Sequence, residues 1–116
     1  MASEHSVNEH FENREAEVRA IYEAILKAAK RLGPVNEEAK KTSIHLVRKS
    51  AFAGIATRKT ALVLTLKSDR NIVNARIVKR EQASANRWHL ETKLEKVKDV
   101  DAEVVGWLKK AYELAG

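Results

Sequence analysis

The hydrophobic positions of the chain change period twice. Val18, Ile21, Tyr22, Ile25, Leu26, Ala29 and Leu32 follow one another at steps of three and four, the spacing that gathers side chains on one face of a helix. Gly33-Pro34 closes this pattern, because glycine accepts the left-handed conformation just past a helix and proline has no N–H to continue the ladder. Upstream, Ser6 is positioned to cap a short helix holding Val7, His10 and Phe11, with a break near Asn13-Arg14.

From Lys41 to Leu94 the period becomes two, as in strands with one buried and one exposed face. Ile44 and Leu46 alternate with Ser43, His45 and Val47; Leu62, Leu64 and Leu66 alternate with Val63, Thr65 and Lys67; and Trp88, Leu90 and Leu94 alternate with His89, Glu91 and Lys93. The pattern predicts five strands, near residues 42–48, 52–57, 61–67, 75–80 and 88–94, with breaks short enough for an antiparallel meander and one longer loop from Glu81 to Asn86. A second helix is expected from about Asp101, with Val104, Trp107, Leu108, Ala111 and Ala115 as its apolar stripe.

Two helices with one apolar stripe each, and a sheet with one apolar face, are satisfied together when both helices pack on that face. The expected fold class is therefore α+β: a two-layer sandwich of N-terminal helices, a five-stranded antiparallel meander and a C-terminal helix. It forms one small domain over residues 1–116, with residues 1–5 flexible. Trp88 and Trp107 are expected in its core.

Composition narrows the function classes. The absence of cysteine removes disulfides, Cys-based zinc sites, iron–sulfur ligation and thiol catalysis. Apolar runs are a few residues long, far from the ~20 of a membrane span, and no export signal is apparent, so no membrane partner and a cytoplasmic location are expected. The net charge of +6 is unevenly distributed. Met1 to Ile25 carries two basic and six acidic residues, or −4, whereas Lys40 to Arg87 carries twelve basic and two acidic, or +10. An anionic partner should meet that middle part.

Ser43, His45, Val47, Val63, Thr65, Lys67, His89, Glu91 and Lys93 fall on the sheet face turned away from the helices. His45 and His89 therefore share a face, and histidine exchanges protons near neutral pH. No metal site is expected: His5 and His10 are placed in a mobile N-terminal part, and no carboxylate cluster completes a coordination shell. There is no Gly-x-Ser-x-Gly elbow, Walker loop or Gly-rich dinucleotide turn, no acid partner is fixed for a Ser–His pair, and no catalytic residue or cofactor is assigned. Arg58-Lys59, Arg70 and the run Arg76, Lys79, Arg80, Arg87 have few acidic neighbours. Guanidinium forks and ammonium groups are common donors to phosphate oxygens.

Read together, "PVNEEAKKTSIHLVRKSAFAGIATRKTALVLTLKSDR", "RIVKREQASANRWH" and "DAEVVGWLKKAYELAG" resemble an uncharacterised bacterial family filed as a domain of unknown function, some members of which carry the label "predicted transport protein". Lys40, Lys41, Thr42, Ser43, His45, Arg58, Lys59, Lys67, Arg70, Arg87 and His89 fall in the family's polar stretches. The resemblance implies no reaction or ligand, and it suggests an accessory module that can be joined to other protein domains. The helix–meander–helix order is also similar to frataxin-like folds, but iron binding of that kind needs an acidic ridge, which Arg14, Arg19, Lys27, Lys30 and Arg31 interrupt.

The expected function is a binding module for an anionic partner, with a nucleic acid backbone favoured. The alternative is a pocket for a small anionic metabolite between the open sheet face and the Glu81–Arg87 loop, with His45 and His89 reading the ligand. An enzyme using those histidines is the third reading. The candidate ligand-binding residues are Lys41, Ser43, His45, Arg58, Lys59, Lys67, Arg70, Arg76, Lys79, Arg80, Arg87 and His89.

Overall fold

The computed structural model describes residues 5–116; of the segment expected to be flexible, residues 1–4 lie outside the described part. After a 3-10 turn at Asn8–Phe11 come helix α1 (Ala16–Lys30) and strands β1 (Asn36–Ala39), β2 (Ile44–Val47), β3 (Ala51–Thr57), β4 (Leu62–Ser68), β5 (Ile77–Ser84) and β6 (Arg87–Leu94). A 3-10 turn at Val97–Asp99 leads into helix α2 (Ala102–Leu114). The fold is α+β, as the periodicities indicate, and both helices pack on one face of an antiparallel sheet.

The sheet has six strands in the order β1-β2-β3-β4-β6-β5, so the expected five-stranded meander is corrected in two ways. First, β1 was not anticipated: Asn36-Glu37-Glu38-Ala39 buries only Ala39 and has no apolar alternation to read. Its pairing with β2 and the Tyr22 hydroxyl, which donates to Glu37 Oε1 at 2.5 Å, hold it in place. Second, β5 does not follow β4 in space. Seven of its eight residues are exposed, so it sits at the edge, whereas β6 supplies Leu90, Thr92 and Leu94 opposite Leu66, Leu64 and Leu62 of β4. The strand with the apolar face takes the interior position and the polar one the rim. The expected loop from Glu81 to Asn86 is mostly strand: β5 runs to Ser84, and only Ala85-Asn86 turn the hairpin.

On the covered face, Ile21, Ile25 and Ala29 of α1 and Val104, Leu108 and Ala111 of α2 are fully buried with Ile44, Ile55, Leu62 and Leu64 of the sheet. Near the end of α1 the helix gives way to Gly33, at φ +149°, where a side chain is strained. Glycine is required there for a second reason, because the Tyr112 hydroxyl occupies the space a Cβ would take, while donating to Pro34 O at 3.0 Å. The N-terminal break falls where the sequence places it, at Asn13 with φ +59°, and Ser6 Oγ accepts the Glu9 N–H at 3.3 Å. His10 is bonded to the rest of the fold: its Nε2 lies 2.8 Å from Lys40 O, and Thr57 Oγ1 donates to His10 O at 2.6 Å.

The two tryptophans also depart from expectation, since both are half-buried and neither belongs to the fully buried core. Trp88 shares the side of Leu90 but pairs with Ser68 at the strand end, beyond the reach of either helix's buried stripe. Trp107 lies on the flank of the α2 stripe, facing the β4–β5 connection. Leu108→Ala is therefore expected to destabilise by about 2–5 kcal/mol, and Trp107→Ala by less than about 2 kcal/mol. Urea denaturation of both variants checks the order; a larger loss at Trp107 would place the centre of α2 packing on that residue instead.

Candidate functional site

The sheet face that the helices leave uncovered is shaped by β3. Its sequence Ala-Phe-Ala-Gly-Ile-Ala-Thr turns Ile55 toward the helices and puts Gly54 and Ala56 on the open side. On either side, longer side chains stand up from β2 and β4. In one row across the sheet, His45 pairs with Gly54, Gly54 with Thr65, Thr65 with Glu91 and Glu91 with Lys79. One pleat further, Lys67 pairs with His89 and His89 with Glu81. The low floor and raised walls form a hollow of about 330 Å³, bordered by Ser43, His45, Gly54, Thr65, Lys67 and His89.

The polar groups around this hollow are hydroxyls, imidazoles and one ammonium. Lys67 Nζ donates to Ser50 Oγ at 3.1 Å, and His89 Nδ1 lies 3.7 Å from Glu81 Oε1. The backbones of His45 and His89 stand three strand spacings apart, about 14 Å across the sheet, with both side chains bordering the same hollow.

The other candidates lie elsewhere. Lys41, in the β1–β2 connection, and Arg58-Lys59, in the β3–β4 turn, mark one end of the sheet. Arg70, after β4, and Arg87, at the start of β6, mark the opposite end; Arg70 Nε donates to Asp69 Oδ1 at 3.2 Å and Arg87 Nη1 to Asn86 O at 2.8 Å. On edge strand β5, Lys79 Nζ is 4.0 Å from Glu91 Oε2, and Arg80 Nη2 donates to Ile72 O at 3.3 Å.

Arg76 has a structural task. Its Nη1 donates to both Asp101 carboxylate oxygens at 3.0 Å and to Glu103 Oε1 at 3.1 Å, and its Nη2 donates to Asp99 O at 2.8 Å. It thereby joins the start of β5 to the N-terminus of α2, where Asp101 Oδ1 also accepts the Val104 N–H at 3.1 Å. That cap, followed by Arg76, holds the Asp101 carboxyl below its ordinary range.

Of the twelve residues proposed from sequence, the fold brings Ser43, His45, Lys67 and His89 around one hollow and disperses the rest over the sheet ends and the β5 edge. Sequence reading missed Gly54 as the floor. The signal was the run of small residues in β3, which periodicity treats as weakly apolar strand positions rather than as missing volume. It also missed that Asp101 and Glu103 would claim Arg76, since their 25- and 27-residue separations close only in space.

These features define a two-layer α+β module whose sheet keeps one face open over a hollow lined by lysine, histidine and hydroxyl groups. A family model described as Domain of unknown function (DUF5655) matches residues 7–115, and the chain belongs to that family. No curated protein and no solved structure matches it. Among the described residues no helix is long and apolar enough to cross a membrane.

Two outcomes test this geometry. A Cβ at Gly54 meets Thr65 Cβ at 3.8 Å and His45 Cδ2 at 3.9 Å, ordinary contact distances; Gly54→Ala should therefore keep the fold and raise stability by about 0.5–1 kcal/mol, measurable by urea denaturation. Asp101→Ala should lose about 1 kcal/mol near neutral pH by removing the cap. A depressed carboxyl stabilises the fold above its unfolded value and loses that contribution as pH falls through its folded value. The gap between wild type and Asp101→Ala should accordingly narrow below about pH 4, read from denaturation midpoints across an acid series.

Proposed function

We propose that this chain is a binding module for a small anionic ligand seated in the open-face hollow. The single observation behind the reading is the convergence of Ser43, His45, Lys67 and His89 over the floor of Gly54. Lys67 supplies fixed positive charge; the Ser43 and Thr65 hydroxyls and the two imidazoles supply donors that an anionic oxygen accepts. The volume of about 330 Å³ is at the small end of the ~300–1,000 Å³ usual for small-molecule sites, matching a single phosphorylated or carboxylated metabolite.

A nucleic acid backbone is the second reading, favoured by the +10 balance of Lys40–Arg87. A duplex needs cations in register along its phosphates. Against that stand the attachment of Arg76 to Asp101 and Glu103, the carboxylate beside Lys79, and the location of Lys41, Arg58 and Lys59 at the opposite end of the sheet from Arg70 and Arg87.

Thermal denaturation with sugar phosphates, nucleotides, acyl-CoA compounds and short oligonucleotides separates the two. A small anion at about 100 times its dissociation constant should add about 2.7 kcal/mol to the folded state. Lys67→Ala, or Gly54→Val, which fills the floor, should remove that response, while Arg58→Ala/Lys59→Ala should retain it. Stabilisation by oligonucleotides alone, lost in Arg58→Ala/Lys59→Ala and kept in Gly54→Val, would replace the small-ligand reading with the nucleic-acid one.

A further inference from the structure

A second cavity, of about 200 Å³, opens on the helix side of the sheet, beneath the β4–β5 connection. Leu66, Ile77 and Leu90 form its sheet wall and are nearly fully buried; Ile72 covers it from the connection, and the half-buried Trp107 ring closes it from α2. The Lys67 backbone borders it too, but its ammonium is held by Ser50 Oγ. Most of the lining surface is apolar, with Ser68, Asp69, Arg70 and Lys110 also bordering the cavity, and it is poorer in polar surface than the open-face hollow.

Its shape follows from the strand order. Because β6 inserts between β4 and β5 and is antiparallel to both, β4 and β5 are parallel, and the chain after β4 must run back along the helix side of β6 to begin the edge strand. Ser68 Oγ turns it by donating to Arg70 O at 2.7 Å and accepting the Arg70 N–H at 3.2 Å. The Arg76 cluster fixes the far end of the crossing on α2, leaving the span between unfilled over Leu66 and Leu90. An apolar cavity of about 150 Å³ is enough to admit a benzene ring, so this one takes a ring with a short substituent. At the mouth, Arg70 is paired with Asp69 at 3.2 Å, whereas Lys110, one helical turn beyond Trp107, makes no ion pair with any described residue, including neighbouring Glu113.

We propose that this cavity binds a small aromatic or branched aliphatic carboxylic acid, its apolar body against Leu66, Leu90 and Trp107 and its carboxylate at the ammonium of Lys110. The body gains by leaving water, and the acid group stays at the solvent boundary, where an ion pair avoids the penalty of full burial. The site is independent of the open-face hollow.

The test uses three probes of one size on the full chain: phenylacetate, 2-phenylethanol and 2-phenylethylammonium. Two-dimensional NMR should show phenylacetate shifting the Trp107 indole N–H and the methyls of Leu66, Ile77 and Leu90, with a dissociation constant of about 0.1–1 mM. It should leave the His45 and Gly54 amides in place. The alcohol should bind at least about threefold more weakly and the ammonium more weakly still, and Lys110→Ala should bring acid and alcohol to the same affinity. Ile72→Trp, which fills the cavity from its solvent side, should abolish binding of the acid. No shift of these signals at about 10 mM phenylacetate, binding that survives Ile72→Trp, or an alcohol or ammonium that binds as well as the acid would each overturn the proposal. Shifts at His45 and Gly54 instead would assign the acid to the open face.

Discussion

Leu62, Leu64 and Leu66 of β4 are the contact on which the architecture depends. They lie at the middle of the sheet, flanked by β3 and β6, and are almost completely buried. A face made of leucines from a central strand must be covered, and each helix has a single buried stripe to offer. Covering it with both helices places all the helical apolar surface on one side. The other side is left with alternating hydroxyl, imidazole, lysine and glutamate side chains that have no helix to meet.

The two ends of this arrangement are held by polar links rather than by more apolar surface. Arg76 gathers Asp101, Glu103 and the Asp99 carbonyl, and its guanidinium also lies 5.9 Å from the Trp107 ring centroid. At the other end, the Tyr22 hydroxyl reaches Glu37, and burial together with that carboxylate pushes the phenol's ionisation far up. A neutral phenol that stays protonated is a constant donor, so short β1 remains tied to α1 although it contributes almost nothing to the core. Arg48, stacked 4.3 Å over Tyr112 and donating to Tyr112 O at 3.1 Å, links the β2–β3 connection to the last turn of α2.

Two cavities border opposite faces of the same sheet. The open-face hollow exists because β3 is poor in side-chain volume at Gly54 and Ala56 while its neighbours are not. The apolar cavity exists because the β4–β5 connection must run back along the helix side of β6, and the clamps at its two ends leave the middle of that crossing above a gap. Lysine, histidine and hydroxyl groups border the first beside the small residues of β3, and apolar side chains dominate the second, so one small module presents two surfaces suited to different chemistry.

The sequence by itself determined what depends on local periodicity. The three-and-four spacing from Val18 fixed α1, and the alternation of Ile44 and Leu46, of Leu62, Leu64 and Leu66, and of Leu90 and Leu94 fixed the faces of β2, β4 and β6. Asp101 marked the start of α2, and family membership was legible in the polar stretches. What depends on contacts distant in the chain was decided only by the tertiary structure. β1 has no apolar pattern of its own and exists by pairing with β2. The β6 insertion between β4 and β5 reflects which strand best completes a buried face, a comparison between strands rather than a property of any one. Arg76 reads as a free cation until folding brings it to Asp101 and Glu103, and Gly54 becomes the floor of a site only when His45 and Thr65 rise beside it. Charge and periodicity are written along the chain, but volume and partnership arise between segments, and a count along one dimension does not contain them.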